Sequence, residues 1–124
     1  MVTQDDKPIF VFGVMGGDMQ PQGHAQVLVN WIDFGMNIQM AGDAARIRHD
    51  GSAKPTGVPE EKNGGTALLE SGIPAATVKA LQAKGHATST GGSFGGYQGI
   101  LIDWERGILQ GATEARKDGA ALGY

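Results

Sequence analysis

The stretch PIFVFGVMGGDMQPQGHAQVLVNWIDFG, residues 8–35, decides how the rest of the chain is read. Pro8–Val14 is rich in β-branched and aromatic residues and is apolar at odd and even positions alike. That pattern predicts a strand in a sheet buried on both faces, with Pro8 at its start or edge. Gly16 and Gly17 then break the strand, Asp18 is placed as a helix N-cap, and Pro21 suits a first helical turn. A helix is predicted from there to about Phe34, stopped by Gly35. Ala25, Leu28, Trp31 and Ile32 are expected on one face, and Val27, Val29 and Phe34 widen it, so the helix should press on a sheet and meet a further element as well.

A glycine turn between strand and helix aims several backbone N–H groups at one spot, and three uses for it compete. A phosphate loop lacks support: no Lys-Ser or Lys-Thr follows, Gly-x-Gly-x-x-Gly is not matched, and Asp18 would repel a dianion. A structural turn needs no ligand, because two glycines let a strand reverse sharply beneath a helix. An oxyanion hole would use the amides of Gly16 and Gly17 to stabilise a carbonyl oxygen as it gains charge, worth roughly 3–4 kcal/mol per donor. The residues alone leave the last two open.

Further along, NIQMAGDAAR predicts a short helix over about Ile38–Ala45, and residues 50–65 read as a surface loop. TALLESG predicts a strand, and Pro74 opens a helix ended by Gly85, with Ala75, Val78, Leu81 and Gln82 as its buried stripe. HATST is a candidate strand; YQGILID and GILQGAT predict a hairpin across WERG. The first seven residues are expected to be a disordered tail and 8–124 a single domain. The order of elements implies an α+β or layered α/β fold with antiparallel pairing at the end.

Bulk properties exclude several functions. Net charge is −3, and the ten Lys and Arg form no basic stripe, so no nucleic acid or membrane partner is expected. Cysteine is absent, which removes disulfides, thiolate catalysis and cysteine-based zinc sites. No signal peptide or membrane-spanning segment is read, and the compartment stays unassigned. His24, His49 and His86 are too dispersed for a metal site, and no cofactor is expected. Ser89 and Ser93 lack a nucleophile elbow. Arg46, Arg48 and His49 are expected on a solvated strand face, and Arg116, Lys117 and Asp118 to tie the tail down through weak ion pairs. Glycine is the outlier, at 21 of 124 residues against a usual share of roughly 7%.

The segment FGVMGGDMQPQGHAQVLVNWIDFGMNIQMAGDAAR resembles the part of γ-glutamyltransferases (γ-glutamyltranspeptidases) that carries their Gly-Gly oxyanion turn. Asn30, Asp33, Phe34, Gly35, Met36 and Asn37 match the helix ending of that family. The tail GATEARKDGAALGY and the helix PAATVKALQAKGH are similar too, and the likeness runs from Pro8 onward. The resemblance implies the C-terminal portion of a small subunit in an αββα sandwich of the N-terminal nucleophile hydrolase type. It implies acyl transfer or hydrolysis of γ-glutamyl amides such as glutathione by an N-terminal threonine, with Gly16 and Gly17 as the catalytic oxyanion donors.

No segment here resembles the start that bears the nucleophile, and Thr3 lacks its context, so the chain alone is expected to be inactive. Val14 and Met15 replace the usual Ser-Pro, and Ala45 and Ala115 stand where the family has proline before arginine. MGGDMQPQGHAQ leans towards the branch that includes cephalosporin and glutaryl acylases. A γ-glutamyl or related acyl-amide substrate is expected only together with an upstream segment. The alternative is a non-catalytic structural module that self-associates through its strand edge. Either a homodimer or association with the rest of an enzyme is therefore expected.

Overall fold

The computed structural model describes residues 1–51 and 64–123. Its elements are β1 (Val2–Gln4), β2 (Lys7–Met15), α1 (Met19–Ile32), α2 (Ile38–Asp43), β3 (Ile47–Asp50), β4 (Thr66–Leu69), α3 (Ala75–Ala83), β5 (Thr88–Thr90), β6 (Gly96–Asp103) and β7 (Ile108–Thr113). The α+β class is as expected. Most of the loop read at 50–65 lies outside the described residues. The chain divides into two compact units: Met1–Ala44 with Gly95–Tyr124, and Ala45–Phe94.

The first unit is built on an antiparallel sheet of order β1-β2-β6-β7. Its opening residues are not a disordered tail. Asp5 and Asp6 both take positive φ, 49° and 60°, the requirement of a two-residue hairpin turn that aspartate tolerates. Val2 is thereby paired with Phe10 and packed against the core. In the other hairpin, Asp103 Oδ1 accepts the N–H groups of Glu105 and Arg106 to close the turn between β6 and β7. Beside it, the Trp104 indole N–H donates to the Pro8 carbonyl at 2.8 Å.

One face of this sheet carries the core. Phe10, Val14, Tyr97 and Ala112 meet Val27 of α1 and Ile38 and Ala41 of α2. The stripe that α1 buries is Met19, Gly23 and Val27, while Ala25 and Ile32 are exposed. Hydrophobicity alone misplaces it because the closest approach uses a glycine: a Cβ on Gly23 would lie 2.6 Å from Val14 Cγ1. Gly35, at φ +64°, lets the Met36 N–H turn back to the Asn30 carbonyl. Asn37 then caps α2 by accepting from the Met40 N–H at 2.8 Å.

The other face of the sheet is open. Val11 and Met15 of β2, Ile100 of β6 and Leu109 of β7 are 43%, 50%, 45% and 69% exposed. Their alternation with the core residues puts them on one side. Pro8–Val14 was expected in a sheet buried on both faces; among the described residues only one face is covered, because α1 and α2 pack on the side of Phe10 and Val14 and leave Val11 and Met15 exposed.

After β7 the chain is fastened by Arg116. Its guanidinium donates to the carbonyls of Gly42 and Ala44 at 2.9 Å each, at the end of α2, and pairs with Glu114, whose residue exposure is 3%. This clip is far more than a weak surface ion pair. A cation on the last carbonyls of a helix also complements its dipole.

The second unit holds a sheet of order β3-β4-β5, with β4 and β5 parallel across α3. Arg46 is not on a solvated face: it is 1% exposed, its N–H donates to Glu70 Oε2, and its guanidinium donates to the Phe94 carbonyl. Arg48 pairs with Asp50 at 2.7 Å, and His49 Nε2 meets the Gly64 carbonyl. The stripe expected on α3 is weak. Val78 and Leu81 are half-buried, Ala75 and Gln82 are exposed, and no residue of the helix is buried.

Arg116→Met should destabilise the first unit by about 3 kcal/mol, because it withdraws the cation from a buried carboxylate and from the end of α2. Urea unfolding with an unchanged midpoint would show the clip to be worth nothing.

Candidate functional site

Residues Gly16–Asp18 join the end of β2 to the start of α1. A helix that returns across the strand it has just left needs a sharp reversal, and Gly16 and Gly17 supply it at φ +125° and +59°. Their carbonyls are spent on the helix start: Gly16 O accepts from the Met19 N–H at 3.1 Å and Gly17 O from the Gln20 N–H at 2.9 Å. Asp18 occupies the N-cap position, but its side chain makes no capping bond.

The two glycine amides are in a different state. Both residues are exposed, and neither N–H has a hydrogen-bond partner among the described residues. Around Gly17 nothing lies within 4 Å of where a Cβ would be, whereas Gly16 is pressed against Gly95, whose Cα would sit 3.1 Å from such a Cβ. Gly16 is thus fixed by packing, and Gly17 faces open space. A pair of adjacent, unengaged N–H groups at a fixed turn beside a helix start is a geometry able to receive a developing negative charge.

Beside the turn runs a groove of about 650 Å³ on the open face of the sheet. Met15 and Gln20, on either side of the turn, both line it, together with Val11, His24, Gln98 and Leu122. Its far wall is the C-terminal tail, which crosses the open face: the Lys117 side chain lies over Gly96, Gly119 lies beside Gln98 and Thr113, and Ala121 lies over Gly111. Its lining is mainly apolar, with Gln20, His24, Gln98 and Thr113 as polar side chains.

Other residues singled out in the sequence are placed elsewhere. Thr3 pairs with Pro8 at the opposite end of β2, about 25 Å from the turn at the usual rise per strand residue. His24 does not reach Asp18 as a cap; it accepts from the Val14 N–H and contacts the Gln20 carbonyl. Ser89, Arg48 and His49 belong to the second unit. Sequence reading missed the role of Gln39, whose amide donates to the Thr113 carbonyl at 2.7 Å and accepts from its N–H at 3.2 Å. It stands in for a neighbouring strand at the outer edge of β7, and no local pattern announces such a long-range pair.

The sequence profile of the family Gamma-glutamyltranspeptidase matches residues 1–124. The chain belongs to this family. It is 32% identical over 127 residues to the glutathione hydrolase-like YwrD proenzyme of Bacillus subtilis, with 99% of this chain and 23% of the relative aligned. Cephalosporin acylase from Bacillus halodurans superposes with a TM-score of 0.78 at 40% identity, over 98% of this chain and 22% of that one. Gamma-glutamyltranspeptidase from Pseudomonas nitroreducens complexed with L-DON gives 0.79 at 25% identity, over 99% of this chain and 59% of the matched chain. The γ-glutamyltranspeptidase family member described here thus spans about a quarter of the first of these relatives. The comparisons with transpeptidases and acylases agree with the fold expected from the resemblance, of which this chain has a part.

Within the first unit, Gly16→Ala should cost more stability than Gly17→Ala. A left-handed residue costs about 1–2 kcal/mol at either position, and at Gly16 the contact with Gly95 adds to it. Chemical denaturation of the two variants should rank them in that order; equal losses would mean that Gly16 is not held by Gly95.

Proposed function

We propose that this chain is the C-terminal portion of the small subunit of a γ-glutamyltransferase-like enzyme, and that Gly16 and Gly17 supply its oxyanion turn. The parent reaction is acyl transfer: a nucleophilic threonine outside this chain takes the γ-glutamyl or a related acyl group from an amide and passes it to water or an amine. The observation that carries the reading is the pair of exposed glycine amides without partners among the described residues, at a turn whose carbonyls are already engaged. A purely structural turn needs the glycine conformations but gives no reason for both amides to stay open.

The direction of catalysis follows from that geometry. As the carbonyl carbon becomes tetrahedral, its oxygen gains charge, and N–H dipoles fixed beforehand stabilise that charge without reorganising. A side chain at position 17 would stand in the open space that the approaching acyl group needs. The remaining acyl-binding groups and the threonine belong to the rest of the enzyme, which is also the partner proposed for the open sheet face. Cephalosporin acylase among the similar structures keeps the acyl group broader than γ-glutamyl.

A second reading rests on the same open face. Exposed Val11, Met15, Ile100 and Leu109 favour a non-catalytic module that pairs with a second copy. Light scattering separates the two: a stable particle of twice 12.9 kDa supports self-association, and a monomer opposes it.

For the catalytic reading, residues 1–124 are grafted in place of the corresponding segment of the Bacillus subtilis glutathione hydrolase-like proenzyme. The isolated chain should release nothing above buffer from a γ-glutamyl anilide, and the chimera should hydrolyse an acyl amide. Gly17→Val in the chimera should lower kcat by about 10²–10³. A folded Gly17→Val chimera with unaltered kcat would remove the oxyanion role.

A further inference from the structure

The glycine turn is anchored on its strand side by a side chain from the helix, and we infer that His24 is the positioning residue that holds it. β1 runs beside β2 only as far as Phe10, so the outer edge of Val11–Met15 has no strand neighbour in the first unit's sheet. Val14 faces Tyr97 of β6. Tyr97 turns its carbonyl the other way, to the Glu114 N–H that follows β7. By the alternation of an antiparallel ladder, the Val14 N–H therefore points out from the sheet. His24 Nε2 accepts it at 3.3 Å.

The same ring is fixed from two more sides. Its Nδ1 meets the Gln20 carbonyl one helical turn earlier, and its plane lies against Phe12 with ring centroids 5.3 Å apart. A carbonyl can only accept and an N–H can only donate, so both bonds are made together by the neutral ring with its proton on Nδ1. The opposite tautomer would set two donors against each other at Val14 and two acceptors at Gln20.

The span from Val14 to Gln20 is thereby closed at both ends by one imidazole. Within it lie Met15, Gly16, Gly17, Asp18 and Met19, that is, the whole turn. Gly23, the residue before His24, brings α1 against the Val14 side chain, so helix and strand are already in contact where the ring reaches across. His24 acts through the backbone: it sets the direction in which the strand leaves Val14, and hence where the two glycine amides point. Its consequence for catalysis rests on the oxyanion reading given above; its hold on the turn does not.

Three measurements on the 124-residue chain test this. Long-range nitrogen–proton correlation spectra should show the Nδ1–H tautomer at His24. His24→Leu, which removes the acceptor, should speed hydrogen exchange at the Val14 amide roughly 3- to 10-fold, the range expected for one lost hydrogen bond. It should also displace the amide signals of Gly16 and Gly17 while protection at Tyr97 in the core is kept. His24→Gln, whose side-chain oxygen can occupy the place of Nε2, should restore both readings. An Nε2–H tautomer in the unaltered chain overturns the inference even if the leucine variant fails to fold. So does a folded leucine variant with Val14 exchange and both glycine signals unchanged. In the chimera described above, His24→Leu should lower kcat at nearly constant KM. Displaced glycine signals with unaltered kcat would uphold the anchor and strike the oxyanion reading instead.

Discussion

The first unit depends on the close seat of α1 on β2, where Gly23 meets Val14. The connection between strand and helix is three residues long, and the helix must fold back over the strand that precedes it. Such a short reversal is open only to a backbone that accepts positive φ, and Gly16 and Gly17 both do so. The contact also fixes the rest: α1 seals Phe10 and Val14, α2 follows through the Gly35 stop and the Asn37 cap, and Arg116 clips the end of α2 to the strand that leads into the tail. The turn is thus required by packing before any chemistry is asked of it. Separate from that packing, the amides of Gly16 and Gly17 have no hydrogen-bond partner among the described residues.

The sheet of this unit is finished on one side and unfinished on the other. Its covered face is closed by aromatic and branched side chains. Two of its strand-edge backbone positions are closed by side chains of the covering helices, His24 at Val14 and Gln39 at Thr113. Both devices satisfy strand groups that would otherwise wait for another strand. The open face has no such treatment beyond the crossing of the C-terminal tail, and it exposes a run of apolar residues.

Legibility differed sharply between local and distant features. Most strands and helices were readable because their signals are short-range: runs of β-branched and aromatic residues, proline and glycine turns, Gly35 and Gly85 as helix stops, and WERG between β6 and β7. The family and the glycine turn were readable for the same reason, as contiguous words. The ordering of residues 2–4 was missed because two aspartates do not look like a hairpin turn until their φ values are known. The buried face of α1 was misplaced because a glycine, which carries no hydrophobic signal, sits at the closest contact. Arg46 and Arg116 looked like surface cations because charge was read without partners, and those partners lie up to 74 residues away.

What the amino-acid sequence determined by itself was the identity and order of most elements after β1, the α+β class, the family and the place of the paired glycines, all set by interactions within a few residues. Only the tertiary structure decided which face of β2 is covered, that the chain divides into two units, and that the amides of Gly16 and Gly17 are left open while their carbonyls are engaged. Those outcomes depend on contacts between segments distant along the chain, such as Gly95 against Gly16 and Arg116 against α2. The burial or exposure of a group is a property of its neighbours in space, which no short stretch of sequence contains.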